Sequence, residues 1–305
     1  VNHSASSLTR RDFLAGIAAA PLALRKPAKQ VCIDSHVHVW ASSPRDVARF
    51  PFAAGAKVPP NLDASVEGLM ARMKANQVDR TVLIQVIHYR WDNSYLVDCL
   101  RRFPKLFVGV CRVNPEDPAA PDHLAEWTEK GCQGVRLSPA AGADGDWIRG
   151  NLMPPLWKRC EDLRVPMTLL LPSSRLRDLP PLLDRHPDLR VVIDHMADCA
   201  PQDERAIADL LSLARYPRLF VKITHPWSLS DQAYPFHDSW PLLQRVRDAF
   251  GSARLMGGTD WPIKTELCSY EQRLALYRDQ LPFFNAEERA DILHRTAQRV
   301  WPALM

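Results

Sequence analysis

No apolar run in this sequence approaches the roughly 18 to 20 residues that a membrane-spanning helix needs, so no transmembrane segment is expected. The seven cysteines include no C-x-x-C pair. Cys32 and Cys111 fall inside apolar runs, where cysteine behaves as a small hydrophobe, so no disulfide framework is expected. The formal charge is only +4 over 305 residues and no block of basic residues stands out, which argues against nucleic acid as a partner. Arg101-Arg102 reads as a solvated helix end. No Gly-x-Gly-x-x-Gly follows the first strand-like run, which weakens the case for an open dinucleotide-binding sheet. What remains is a chain 46% hydrophobic, enough for one barrel of about 250 residues preceded by a short leader.

The N-terminus differs in character. Arg10-Arg11-Asp12-Phe13-Leu14 precedes a mild, Ala-rich apolar stretch over 15–24, and Arg25-Lys26 follows. Twin arginines before a short apolar region read as a Tat-type export signal. Residues 1–29 are therefore expected to be a leader directing export to the periplasm, with the folded domain over 30–305. A basic tail on a cytoplasmic enzyme is the competing reading.

Beyond the leader, short β-branched runs alternate with longer amphipathic ones. Strand-like runs occur at 31–35, 81–86, 106–113, 134–137, 166–171, 190–194, 219–223 and 254–258. They are apolar at successive positions, as strands covered on both faces are. Helical periodicity separates them, for instance Val66, Leu69, Met70 and Met73 within 64–75. A last helix is expected over 286–300, capped by Asn285 with Glu288 three residues on. Eight βα units favour an α/β fold closed into a single (β/α)8 barrel with its active site at the C-terminal ends of the strands. The long, proline-bearing connection over 40–63 would then lie over that face as a lid or a substrate wall.

Three strand ends carry chemistry. Asp34-Ser35-His36-Val37-His38 places two imidazoles one residue apart, and a strand points such residues the same way. The run Val191-Val192-Ile193-Asp194 ends in His195, and Gly257-Gly258-Thr259 ends in Asp260, before Trp261 and Pro262. Imidazoles converging at a strand end either bind a divalent cation or hold a substrate oxygen. Other residues expected at the same mouth are Arg136, whose planar fork suits a substrate carboxylate, Gln85, His88, Lys222 and His225. Trp40 and Trp261 would wall a sugar ring.

Together with Gly134-Val135-Arg136-Leu137, these motifs resemble the amidohydrolase superfamily, and within it the amidohydrolase-2 branch of sugar lactonases and related TIM-barrel hydrolases. The similarity runs from about Val31 to the C-terminus, with the motifs in family order. It implies that His36, His38, His195 and Asp260 form the catalytic and metal-binding set. The family often adds a histidine or lysine on strand 4 or 5, and here Arg136-Leu137-Ser138 and Met167-Thr168-Leu169 supply neither. At most one divalent ion, zinc or similar, is therefore expected, and metal-free action stays open. The reaction implied is hydrolysis of a sugar-acid or dicarboxylate lactone. Asp260 would act as general base, while His36, His38 and His195, or a metal they hold, stabilise the oxyanion. A mononuclear decarboxylase or hydratase, and a non-catalytic sugar-binding barrel, are the alternatives. The partner is a small molecule, and self-association into a homo-oligomer stays open. The leader reading is checked by fractionating cells that express an Arg10→Lys, Arg11→Lys variant: export should stop, and unaltered export refutes it.

Overall fold

The eight apolar runs become eight parallel strands in a computed structural model, which describes Val1 and residues 31–59, 62–138 and 146–305. The strands are β1 Ile33–Val37, β2 Arg80–Ile84, β3 Phe107–Arg112 and β4 Gly134–Leu137, then β5 Met167–Leu169, β6 Val191–Ile193, β7 Leu219–Lys222 and β8 Leu255–Met256. They pair in sequential order, β1 through β8, with helices in the connections. This is the (β/α)8 barrel that the sequence led us to expect. The leader assigned to residues 1–29, Val1 apart, lies outside the described residues.

The core has two parts. Inside the barrel, Ile33, Val82, Ile84, Val108, Val110, Val192, Phe220 and Met256 pack on Trp301 near the C-terminus. A larger cluster fills the space between strands and helices, including Val37, Leu83, Val135, Leu169, Ile193 and Val221. Ile33 and Val37 have the same parity on β1, yet they belong to opposite faces. The cause is a register shift between Asp34 and Val37. Such a bulge re-aims the residues that follow it. It carries Val37 outward, so that its neighbours His36 and His38 enter the barrel.

The run at 254–258 supplies a strand of only two residues, because the chain then leaves β7 and closes on β1. The Asp260 N–H donates to the His36 carbonyl at 2.8 Å, and the His38 N–H donates to the Trp261 carbonyl at 2.7 Å. The Asp34 carboxylate accepts from the Thr259 N–H at 2.9 Å and the Thr259 hydroxyl at 2.6 Å. Arg273, itself buried, donates to the Thr259 carbonyl at 2.7 Å from outside. A Cβ on Gly258 would sit 2.9 Å from the His36 nitrogen, so only glycine allows this approach.

Helix boundaries follow local chemistry. Ser65 caps Val66–Ala75, and Asn285 and Glu288 form the expected reciprocal cap on Ala286–Ala290. After β5 the chain forms a 3-10 segment, Ser173–Asp178, and a separate helix, Pro180–Arg185, because Pro180 and Pro181 have no N–H to donate and cannot continue one helix through both. The connection over 40–63 contains an unexpected helix, Pro44–Arg49, that begins with a Ser43 cap and proline in the first turn. Gly258→Ala should destabilise the barrel by about 1–3 kcal/mol through overpacking at the β1 junction. Urea denaturation measures it, and an unchanged midpoint would contradict the close approach.

Candidate active site

Strand periodicity puts charge inside the barrel. Val108 and Val110 face inward on β3, so Arg112 does too, and Arg112 is in register with Arg136 on β4. By the same alternation Val192 leads to Asp194, and Phe220 leads to Lys222. Asp194, fully buried, is the centre of this layer. It accepts from Arg136 Nε at 2.8 Å and pairs with Lys222 Nζ at 3.1 Å and His36 Nδ1 at 3.4 Å. Burial opposes its ionisation, but Lys222, His36 and Arg136 outweigh that and hold its pKa well below the usual carboxylate value.

Above it, the junction of β1 with the segment after β8 gathers the other groups. His36 Nε2 and His38 Nε2 stand 3.3 Å apart, and both face Asp260 Oδ1, at 3.3 and 3.2 Å. His38 Nδ1 lies 2.8 Å from the Ile84 carbonyl, which only accepts, so this nitrogen carries a proton, and in the neutral ring Nε2 presents a lone pair. Asp260 Oδ1 is buried without a hydrogen-bond partner among the described residues. The other oxygen, Oδ2, meets His225 Nε2 at 2.5 Å. Burial disfavours the charge on His225, but Asp260 and Asp198 prevail and raise its pKa to about 9. Asp260 is correspondingly held well below the usual carboxylate range despite its burial.

His195 stacks on His225 with centroids 3.7 Å apart and lies 4.6 Å from the His36 ring. Its Nδ1 meets the Thr224 hydroxyl at 2.5 Å. Burial and its histidine neighbours keep it neutral, and burial together with Lys222 pushes His36 down to about 3. The backbone here is strained: His195, Met196, Ala197 and Asp198 all have positive φ, between 49 and 54°. Such a turn costs L-residues roughly 1–2 kcal/mol each, and it turns the His195 ring onto its neighbours.

His36, His38, His195 and Asp260 are thus brought together. Several companions fall elsewhere. Lys222 is wholly buried beneath the mouth, 3.0 Å from His36 Nδ1, and is no surface for substrate. Arg136 already faces the carboxylate of Asp194. His225 is held by Asp260 and Asp198. Gln85 gives its amide to the Asp92 carbonyl. Trp261 is buried in the outer layer under Arg72 rather than walling a ring. Trp40 is also buried, edge-on to His88 at 5.0 Å, and lines a cavity of about 760 Å³ beneath the connection over 40–63. His88 keeps a buried Nε2 without a hydrogen-bond partner among the described residues, and burial lowers its pKa to about 4. Asp34, Asp194, Thr224 and Arg112 were not singled out from sequence. The signal was present for three of them: Asp34, Asp194 and Arg112 are charges inside or ending otherwise apolar strands.

The residues fit one divalent ion. Donor separations of 3.2–3.3 Å among His36, His38 and Asp260 are close to the roughly 3.4 Å between ligands about 2.1 Å from a tetrahedral ion. The unpartnered Asp260 Oδ1 and the fixed His38 lone pair supply two donors. His36 supplies the third when its Nδ1–H faces Asp194, whereas acceptance from Lys222 would leave the proton on Nε2. A second group of donors, His36, Asp194 and His195, has the Lys222 ammonium against two of its members, which opposes a second cation. Elemental analysis should find no more than one tightly held divalent ion per chain, lost in His38→Ala; two would contradict this electrostatic argument.

Residues 33–303 match the family model described as Amidohydrolase. An L-fucono-1,5-lactonase of Burkholderia ambifaria is 29% identical over 246 residues, covering 76% of this chain and 80% of the relative. A 4-sulfomuconolactone hydrolase of Hydrogenophaga intermedia is 27% identical over 238 residues, 75% of this chain and 74% of the relative. Among solved structures, a proposed 2-pyrone-4,6-dicarboxylic acid hydrolase from Pseudomonas putida superposes with a TM-score of 0.76 at 25% identity, covering 91% of this chain and 100% of its own. A zinc-bound amidohydrolase from Burkholderia multivorans shares the fold, with a TM-score of 0.74 at 22% identity, covering 89% of this chain and 99% of its own.

Proposed function

The chain belongs to the amidohydrolase family, and within it we propose that it is a hydrolase that opens a lactone. The observation that carries this reading is the buried, unpartnered Asp260 Oδ1, flanked by two imidazole nitrogens at the barrel mouth. The lactone-hydrolysing relatives support it.

In this reading a water beside Asp260 Oδ1 gives up a proton to that oxygen as its own oxygen bonds to the ring carbonyl carbon. His225 holds Oδ2, which leaves Oδ1 aimed at the water. His195 is neutral and anchored by Thr224, and its free ring edge lies toward the developing oxyanion. His38 is fixed through Nδ1 on the Ile84 carbonyl, with Nε2 turned toward Asp260 Oδ1. The tetrahedral adduct collapses by breaking the ring C–O bond, and the departing alkoxide takes the proton back from Asp260. The product is an open hydroxy acid. A divalent ion held by His36, His38 and Asp260 would supply Lewis-acid polarisation and a more acidic water.

The low pKa of Asp260 makes it a weak base, which suits an ester with an alkoxide leaving group better than an amide. We further propose export through the twin-arginine leader, on the strength of Arg10-Arg11 and the apolar stretch after them. Asp260→Asn should lower kcat on a responsive lactone by about 10²–10⁴ while the melting curve stays cooperative. Acid release across a lactone panel measures it, and unchanged turnover removes Asp260 from the role of base.

A further inference from the structure

Among the described residues, Arg112 is a buried cation with no carboxylate of its own. Of the buried cations Arg112, Arg136 and Lys222 at the barrel mouth, Arg136 and Lys222 contact the Asp194 carboxylate and Arg112 does not. The Arg112 guanidinium donates from Nη2 to the Ser138 hydroxyl at 2.6 Å and lies over the Trp91 ring at 4.7 Å. Its Nε and Nη1 are buried without a hydrogen-bond partner among the described residues. Asn93 fixes the backbone from both sides, accepting from the Arg112 N–H at 2.8 Å and donating to its carbonyl at 3.0 Å. Burial and the Arg136 cation lower its pKa to about 9, so it is still charged at neutral pH.

A buried charge without a counter-ion is costly, and its neighbours are arranged to hold the guanidinium still rather than to neutralise it. Arg112 lines a cavity of about 530 Å³ between the ends of β2 and β3 and the connection over 40–63. Among the described residues, Lys57, Arg90, His88 and one acidic residue, Glu116, line the same cavity. The cavity thus ends on a fixed cation with unused donors, and Arg112 is in register with Arg136, which reaches His36 through Asp194.

We propose that Arg112 is the anion receptor of this site, and that the substrate is a lactone bearing a carboxylate or sulfonate away from its reacting ester. The lactone in this statement rests on the hydrolase reading above; the anion rests on Arg112. A neutral sugar lactone would leave the guanidinium donors unpaired, and an oxyanion pairs them.

Calorimetric titration with isophthalate, benzene-1,3-disulfonate and uncharged dimethyl isophthalate tests the anion separately from turnover. The full chain should bind at least one dianion and ignore the diester, and thermal melting should shift up with that dianion only. The preferred dianion tells carboxylate from sulfonate. Arg112→Gln should weaken that binding by about 10- to 100-fold, and Arg112→Lys should recover part of it. With a carboxylated lactone, Arg112→Gln should raise KM by the same factor, and kcat/KM for its methyl ester should stay within about threefold. If Arg112→Gln does not fold, the melting comparison on the natural chain decides. The proposal is overturned if neither dianion binds, or if Arg112→Gln binds it equally well or loses charged and uncharged substrates alike. Arg112-dependent dianion binding in a chain that opens no lactone would sustain the anion receptor and remove the hydrolase reading. Turnover of neutral lactones without dianion binding would do the reverse.

Discussion

The closure of the segment after β8 onto β1 is the constraint on which the molecule depends. The backbone bonds that seal the barrel are made by the residues that form its site. Asp260 donates to the His36 carbonyl, and His38 donates to the Trp261 carbonyl. Asp34 ties the same two segments through Thr259, although burial raises its own pKa to about 6. The positions of the His36, His38 and Asp260 side chains are thus set by barrel closure rather than by flexible loops. Preorganisation of this kind is what electrostatic catalysis requires.

Charge organises the rest. Asp194 collects Arg136, Lys222 and His36 below the mouth, and the Asp260–His225 pair stands above it. The lower carboxylate fixes the back of His36, and the upper pair leaves one carboxylate oxygen free. Between them His195 is held on a strained left-handed turn. Each arrangement costs stability, through burial of charge or backbone strain, and each aims a ring or an oxygen at the same small volume.

Much of this was legible in the chain. The alternation of apolar runs and helical periods announced eight βα units, and the motif endings named His36, His38, His195 and Asp260. The bulge in β1 was not legible, because parity counted along an ideal strand cannot show where the register shifts; it is visible only once Ile33 and Val37 fall on opposite faces. The partners of the charged residues were hidden for a related reason. Arg136, Lys222 and His225 each sit at a strand end, as read, but which carboxylate each meets is a long-range fact. Arg112 was overlooked although it ends an apolar strand as clearly as Arg136 does, since nothing local marks a cation as unpaired. The short β8 reflects tertiary competition: the glycines that end its apolar run allow the chain to exchange β7 for β1.

Denaturant-dependent hydrogen exchange tests the central claim most directly. If closure and site assembly are one event, the amide protons of His38 and Asp260 should exchange only through global unfolding, with the same opening free energy as the β2–β3 ladder. Exchange of these two amides through a cheaper local opening, with the ladder still protected, would show that the site forms independently of the barrel seam and would contradict the account.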